Sequence, residues 1–186
     1  MFKELLVRTA SRLDRRGIPY MVIGGQAVLL YGEPRLTRDI DITLGISPQK
    51  AGEVVTLARE LDLEVLVEDP IDFARKTFVL PCSEEKSGIR VDFIFSQSSY
   101  EEQALRRAKA VRMGKVEVKF ASLEDLIIHK VIAGRPRDLE DAERVLAKNP
   151  DLDRDYVLSW LSEFDRALQA HFTASFRELL KELEAG

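Results

Sequence analysis

Val22-Ile23-Gly24-Gly25-Gln26-Ala27 and, shortly after it, Arg35-Leu36-Thr37-Arg38-Asp39-Ile40-Asp41-Ile42 form the stretch from which the fold of this chain is read. Tyr20 to Ile23 is a short apolar run that stops at two glycines, and Gln26 to Tyr31 carries good helix formers before Gly32 and Pro34 close the segment. The pattern predicts strand, tight turn, helix. Glycine at such a turn lets the backbone come close to a ligand, and a helix start presents unpaired N–H groups with about half a positive charge. An anion, most naturally a phosphate, suits that place.

Asp39 and Asp41 follow, separated by Ile40 and succeeded by Ile42. On a strand of period two, both carboxylates project from one face while the isoleucines fill the other. Two ionised carboxylates within roughly 4 Å repel by about 4 kcal/mol at the effective dielectric of a protein surface. A divalent cation removes that conflict, and a hard oxygen set of this kind suits magnesium, which keeps positions for water and substrate phosphate. An Asp-x-Asp strand is also an ordinary solvated strand face; its position just after a strand-Gly-Gly-helix unit is what singles it out.

Two later segments carry further anomalies. Arg90 to Phe95 reads as a strand with Val91, Phe93 and Phe95 on one side and Asp92 and Ile94 on the other, so Asp92 is an acid in an otherwise apolar run. Ser122 and Asp125 mark a helix start, and the apolar stripe of Leu123, Leu126, Ile127 and Val131 has Lys130 near its centre. A lysine there must snorkel, pair with an acid or point into a cleft. His129 falls on the polar side, near Asp125. Gly134-Arg135-Pro136-Arg137-Asp138 ends this helix and starts another, with proline where a helix start tolerates it. Asp138 and Asp141 either favour the positive end of the new helix or, in the case of Asp138, pair with Lys130.

Gly24-Gly25, then Arg35-x-Thr37-x-Asp39-x-Asp41, with Val91-Asp92-Phe93 and the run from Lys130 to Asp141, resembles the signature of the DNA polymerase β-like nucleotidyltransferase superfamily. More narrowly, it is similar to small prokaryotic members related to abortive-infection toxin nucleotidyltransferases. The resemblance spans roughly residues 20 to 146 and departs from many relatives in having Gly25 where they carry serine. It implies transfer of a nucleoside monophosphate from a nucleoside triphosphate, ATP among the candidates, to an acceptor hydroxyl on RNA, a protein or a small molecule. Asp39, Asp41 and Asp92 would hold magnesium, two ions in all, and with Lys130 carry catalysis. Gly24, Gly25, Arg38, Lys130, Arg135 and Asp138 would meet the nucleotide. A toxin role with an antitoxin partner belongs to the same resemblance, and so does the alternative of an inactive nucleotide-binding or regulatory module.

Outward from the signature, Pro48 to Leu61 predicts a helix, Leu63 to Val67 a strand, Lys76 to Leu80 another β-rich run, Ser99 to Ala108 a helix and Val111 to Phe120 a hairpin turning at Gly114. The fold expected is α/β of the α+β type: a nucleotidyltransferase core at 1–120 with a short mixed sheet flanked by helices, then a helical C-terminal segment at 121–186. Val157, Trp160, Leu161, Phe164 and Leu168, and then Phe172, Phe176, Leu179, Leu180 and Leu183, recur at helical spacing and read as packing surface, the last set also as a homodimer face. With 186 residues, 45% of them hydrophobic, the chain can bury one core. No apolar run reaches the roughly 20 residues that span a bilayer and no signal-peptide pattern opens the chain, so a cytoplasmic protein without membrane contact is expected. A single cysteine, Cys82, excludes an internal disulfide and reads as packing. The net charge of −4 argues against a wholly basic nucleic-acid-coating protein. Arg8, Arg12 and Arg15 on one helix, and the cluster from Arg106 to Lys119, are either solvated faces or a local RNA track.

Overall fold

The computed structural model describes residues 2–32, 37 and 39–185. The chain forms two compact units, Met1–Gln26 with Leu36–Ala121, and Ala27–Arg35 with Ser122–Gly186.

In the first unit, α1 (Phe2–Arg15) leads into β1 (Tyr20–Ile23), and α2 (Gly24–Tyr31) starts there and continues into the second unit. Then come β2 (Asp39–Leu44), a 3-10 turn at Pro48–Lys50, α3 (Ala51–Glu60), β3 (Glu64–Val65), α4 (Pro70–Thr77), β4 (Val79–Glu84), β5 (Ile89–Phe95), α5 (Ser99–Arg107), β6 (Lys109–Met113) and β7 (Val116–Phe120). Among the described residues the seven strands form one mixed sheet in the order β3-β4-β5-β2-β1-β7-β6. Its centre is β2, antiparallel to β1 and parallel to β5. The alternation visible in the sequence sets the faces: Ile40, Ile42, Val91, Phe93 and Phe95 are at most 1% exposed, while Asp39 and Arg90 stand in solvent. Each such buried side chain contributes about 1.5–3 kcal/mol, and the sheet's register is fixed because a slip of one residue would turn the acids into the core.

Two sequence expectations need correction here. Lys76 and Thr77 are not strand but the last turn of α4; Asp69 caps that helix by accepting the Asp72 N–H, Pro70 opens it, and Phe78 leaves it in the left-handed region at φ +62°. The β-branched and aromatic residues that suggest a strand are real, but capping chemistry holds the first of them in the helix, and pairing begins only at Val79. The strand expected over Leu63 to Val67 is reduced to the two residues of β3, at the sheet edge. A smaller departure is the helix expected from Pro48, which opens as the 3-10 turn and becomes regular only at Ala51. Ser98 and Glu101 form a reciprocal capping box on α5, and Gly114 turns the β6–β7 hairpin at φ +69°.

Arg8 and Arg12 of α1, and Arg16 just past its end, pair with acids of this unit, while Arg15 is exposed. Arg8 donates to a Glu84 carboxylate oxygen at 2.7 Å and to the Leu61 carbonyl at 3.0 Å, Arg16 pairs with Glu60 at 2.6 Å, and Arg12 lies 3.8 Å from the same carboxylate. Lys119, from the second basic cluster, pairs with Asp14 at 2.8 Å and sits over the Tyr20 ring. Cys82 is fully buried in β4, where burial first and the nearby Asp92 charge second push its thiol up to about 12, so its contribution is packing.

The second unit is helical: α6 (Leu123–Ala133), α7 (Pro136–Lys148), α8 (Arg154–Leu168) and α9 (Phe172–Ala185). Ser122 caps α6, Gly134 ends it at φ +61°, and Pro136 opens α7. Contrary to the stripe read from sequence, α6 is buried nearly all round. Asp125 is 0% exposed, not on a polar side, and is satisfied by the Ser122 and Tyr156 hydroxyls, both of which donate to it. Val157, Leu161, Phe176 and Leu179 are buried as their spacing predicts, whereas Leu168 at the end of α8 is 60% exposed. Among the described residues no helix is long and apolar enough to cross a membrane.

Candidate active site

The site grows from the junction of β1 and α2. Antiparallel register sets Ile23 opposite Asp41, which brings the next residue, Gly24, against the Asp41 side chain. Gly24 has φ +63°, and a Cβ there would overlap Oδ2 of Asp41 and lie 3.0 Å from its Cγ. Glycine is required twice over, for the left-handed backbone and for the carboxylate lying over its Cα. The two glycines are therefore not a turn ahead of the helix, as the sequence suggests, but its first residues.

Parallel register then pairs Asp41 with Asp92 and Asp39 with Arg90. Side chains of directly paired residues, and of residues two apart along a strand, share a face, so all three acids stand on one side of the sheet. Asp39 is exposed; Asp41 and Asp92 are half-buried. The Asp92 carboxylate receives two hydrogen bonds from Nε of Arg90, at 2.9 and 3.0 Å. The guanidinium's pKa is raised by its hydrogen bond to Asp92 and by that residue's charge, with further contributions from Asp39 and Asp41. Arg90 therefore lies within electrostatic reach of all three acids. Sequence reading missed it; the signal available was the Arg-x-Asp spacing, which puts a cation on the same strand face as the acid.

Among the described residues no group of three or more histidine, cysteine, aspartate or glutamate side chains is placed to hold a metal ion. The donor set nevertheless fits a hard divalent cation: oxygen ligands from adjacent strands, with Asp41 lying over a glycine that leaves room for it. Arg38, expected at the nucleotide, lies outside the described residues.

Lys130 belongs to the second unit and is 6% exposed. Its ammonium donates to Asp138 at 2.6 Å and to Asp141 at 2.9 Å, and Arg135, 77% exposed at its side chain, pairs with the other Asp138 oxygen. Of the readings open from sequence, pairing with an acid is what the structure contains. Burial opposes ionisation of Asp138, but the hydrogen bonds and charges of Arg135 and Lys130 outweigh it and hold that carboxyl below its ordinary value. The arrangement satisfies buried charges that would otherwise be costly.

A cavity of about 680 Å³ opens at the other end of the strands, among Gly45, Ser47, Ser96, Glu102, Leu105 and Arg106. Five residues of strand, about 17 Å, separate Asp39 from Leu44 at that end. It is a separate concavity from the acid face.

A strand-Gly-Gly-helix unit followed by two acids on the central strand, with a third in register on the parallel neighbour, defines a polymerase β-like nucleotidyltransferase core. Over residues 2–162 the chain matches the family described as "Nucleotidyl transferase of unknown function (DUF2204)", and it belongs to that family. The antibiotic-resistance factor ANT(2'')-Ia, solved in complex with adenylyl-2''-tobramycin, has the same fold at TM-score 0.60 and 17% identity, over 90% of this chain and 98% of that one. The lincosamide antibiotic adenylyltransferase LnuA, solved bound to lincomycin, superimposes at 0.55 and 16% identity over 76% of this chain and 94% of its own. An antigenic nucleotidyltransferase-like protein from Paracoccidioides brasiliensis gives 0.56 and 18% over 96% and 91%. No curated protein sequence matches.

Proposed function

We propose that this nucleotidyltransferase is magnesium-dependent and moves a nucleoside monophosphate from a nucleoside triphosphate to the hydroxyl of a small molecule. The observation that carries the metal reading is the register of Asp41 with Asp92 beside the Gly24 cradle, which gathers oxygen donors from two strands on one open face. Asp39, Asp41 and Asp92 would hold the metal; magnesium would supply positive charge to the acceptor oxygen and to the triphosphate, two ions being usual for such in-line displacements. Gly24, Gly25 and the start of α2 offer N–H groups to the phosphates, with Arg38 adding charge. Asp92 orients the acceptor hydroxyl and accepts its proton as the oxygen bonds to the α-phosphorus. The bond from that phosphorus to the bridging oxygen breaks, and pyrophosphate leaves with the electron pair. Positioning and fixed charge do most of the work in such transfers.

Lys130, Arg135 and Asp138, which the resemblance ties to the nucleotide, form an ion cluster within the second unit: Lys130 holds Asp138 and Asp141, and Arg135 closes the cluster on its solvent side. The preference for a small acceptor rests on the chemistry named for ANT(2'')-Ia and LnuA, with Arg8 and Arg12 of the α1 track already paired to Glu84 and Glu60. A cytoplasmic site, where nucleoside triphosphates are abundant, fits this reading. A toxin role with an antitoxin partner rests on the sequence resemblance alone.

The experiment is incubation with labelled nucleoside triphosphates, Mg²⁺ and a small-molecule fraction of cell extract, reading labelled product and released pyrophosphate. Asp39→Asn with Asp41→Asn is expected to abolish both while far-UV circular dichroism and melting stay near wild type. Turnover unchanged in that double variant refutes the proposal; nucleotide binding with no transfer to any fraction favours the inactive binding module instead.

A further inference from the structure

We propose that Arg90 is a resident counter-cation of the acid face, which competes with the divalent metal for Asp92 and is released to the nucleotide phosphates when metal binds; this rests on the metal-dependent reading above. Three carboxylates gathered on one strand face repel, and among the described residues Arg90 provides a cation on that same face. Arg90 pairs with Asp39 across the β2–β5 ladder and lies two residues before Asp92, so its guanidinium emerges on the acid side. Nε meets both Asp92 oxygens, at 2.9 and 3.0 Å, the two atoms a metal would claim.

This explains why the acids share a face although, among the described residues, no three of them are placed together to hold a metal ion. The Asp92 carboxylate is turned to Arg90. A metal that takes both Asp92 oxygens on the side where Nε sits displaces the guanidinium, and a displaced guanidinium needs an anion. The Arg90 side chain is 51% exposed against 19% for Asp92, so the arginine is the partner with room to move. The anion that arrives with the metal is the triphosphate, whose oxygens suit guanidinium geometry. Arg90 thus makes metal and nucleotide binding mutually dependent: metal alone binds against a competing cation, whereas metal with triphosphate gives that cation a new partner.

The test is Mn²⁺ binding by electron paramagnetic resonance, without nucleotide and with a non-hydrolysable ATP analogue, on wild type, Arg90→Gln and Arg90→Lys. Removing the competitor is expected to tighten Mn²⁺ binding without nucleotide by about tenfold, the value of one charge-assisted hydrogen-bonded pair at a partly exposed site. The same change is expected to weaken the Mn²⁺-loaded analogue by a similar factor, with Arg90→Lys between wild type and Arg90→Gln in both. Melting temperature is recorded for each variant, because a merely structural arginine would lower it and move both affinities in one direction. Equal Mn²⁺ affinity in wild type and Arg90→Gln, with Asp41→Asn abolishing it, overturns the role of Arg90 and leaves the metal site standing. Absence of Mn²⁺ binding in wild type and Arg90→Gln alike overturns the metal-dependent reading, and this inference with it.

Discussion

Replacing Gly24 by alanine separates two demands that the structure makes of one residue. The backbone demand is φ +63°, a region that costs a non-glycine residue about 1–3 kcal/mol. Gly17 and Gly114, at φ +62° and +69° with nothing within 4 Å of a built Cβ, make the same backbone demand and nothing else, so their alanine variants measure that cost alone. At Gly24 the new methyl group would also overlap Oδ2 of Asp41. That atom is the end of a side chain and can rotate away, for roughly 0.5–1.5 kcal/mol of rotamer strain. Gly24→Ala is therefore expected to be about 1 kcal/mol less stable than Gly17→Ala or Gly114→Ala, some 2–4 °C lower in melting temperature for a chain of this size. The functional loss is expected to be far greater, because on the proposed reading Asp41 is a metal ligand, and a reacting group's ligand displaced by about 1 Å costs on the order of 100-fold in rate. Calorimetric melting and a pyrophosphate-release assay on the three variants give both quantities. Should Gly24→Ala turn over as fast as Gly17→Ala, the contact between Gly24 and Asp41 is not part of the site and the reasoning fails.

The buried cluster of the second unit gives two further expectations. Lys130→Met leaves Asp138 and Asp141 in a buried site with one cation fewer, and removing one member of a buried ion pair costs about 3–5 kcal/mol, a melting decrease of roughly 6–20 °C. Adding Asp138→Asn and Asp141→Asn to Lys130→Met should recover part of the loss, which a cavity effect alone would not allow. The depressed carboxyl of Asp138 sets the pH dependence: its folded pKa lies below the unfolded value, so its contribution is complete above about 3.9 and is lost as pH falls through the lower folded value. Urea titrations from pH 6 to pH 2 should therefore show wild type losing more stability below about pH 4 than Asp138→Asn; parallel curves would rule that contribution out.

How much of this was legible in the sequence depends on the range of the interaction involved. Signals acting over two to four residues read well: the Ser98–Glu101 box, the Gly114 hairpin and the proline at the start of α7 are all where their chemistry predicts. Faces read well too, since alternation alone separates Asp92 from Val91 and Phe93. Misreadings came where two local signals competed, as at Lys76 and Thr77, or where burial was set by segments distant in sequence. Asp125 sits on what periodicity marks as the polar side of α6, yet Tyr156 of α8, thirty-one residues on, covers it and donates to it.

The acid face shows the same division inside a single site. Asp39 and Asp41 are recognisable because the two-residue period of one strand places them together, but what they are placed beside is decided by strand order. The pairing of β2 with β5 rather than with another strand is a long-range choice of the sheet, and it aligns Asp41 with Asp92 and, two residues earlier, Asp39 with Arg90. A three-acid reading taken from spacing alone therefore omits the cation, although Arg90 has the same separation from Asp92 that Asp39 has from Asp41. One periodicity written on two neighbouring parallel strands yields a square of four charged side chains, three negative and one positive. The positive corner is the one a resemblance built on the acids does not mark. On the proposed metal-dependent reading it is also the corner at which a divalent cation would meet its competitor, which is why metal affinity in the Arg90 variants bears on the mechanism more directly than further loss of carboxylates would.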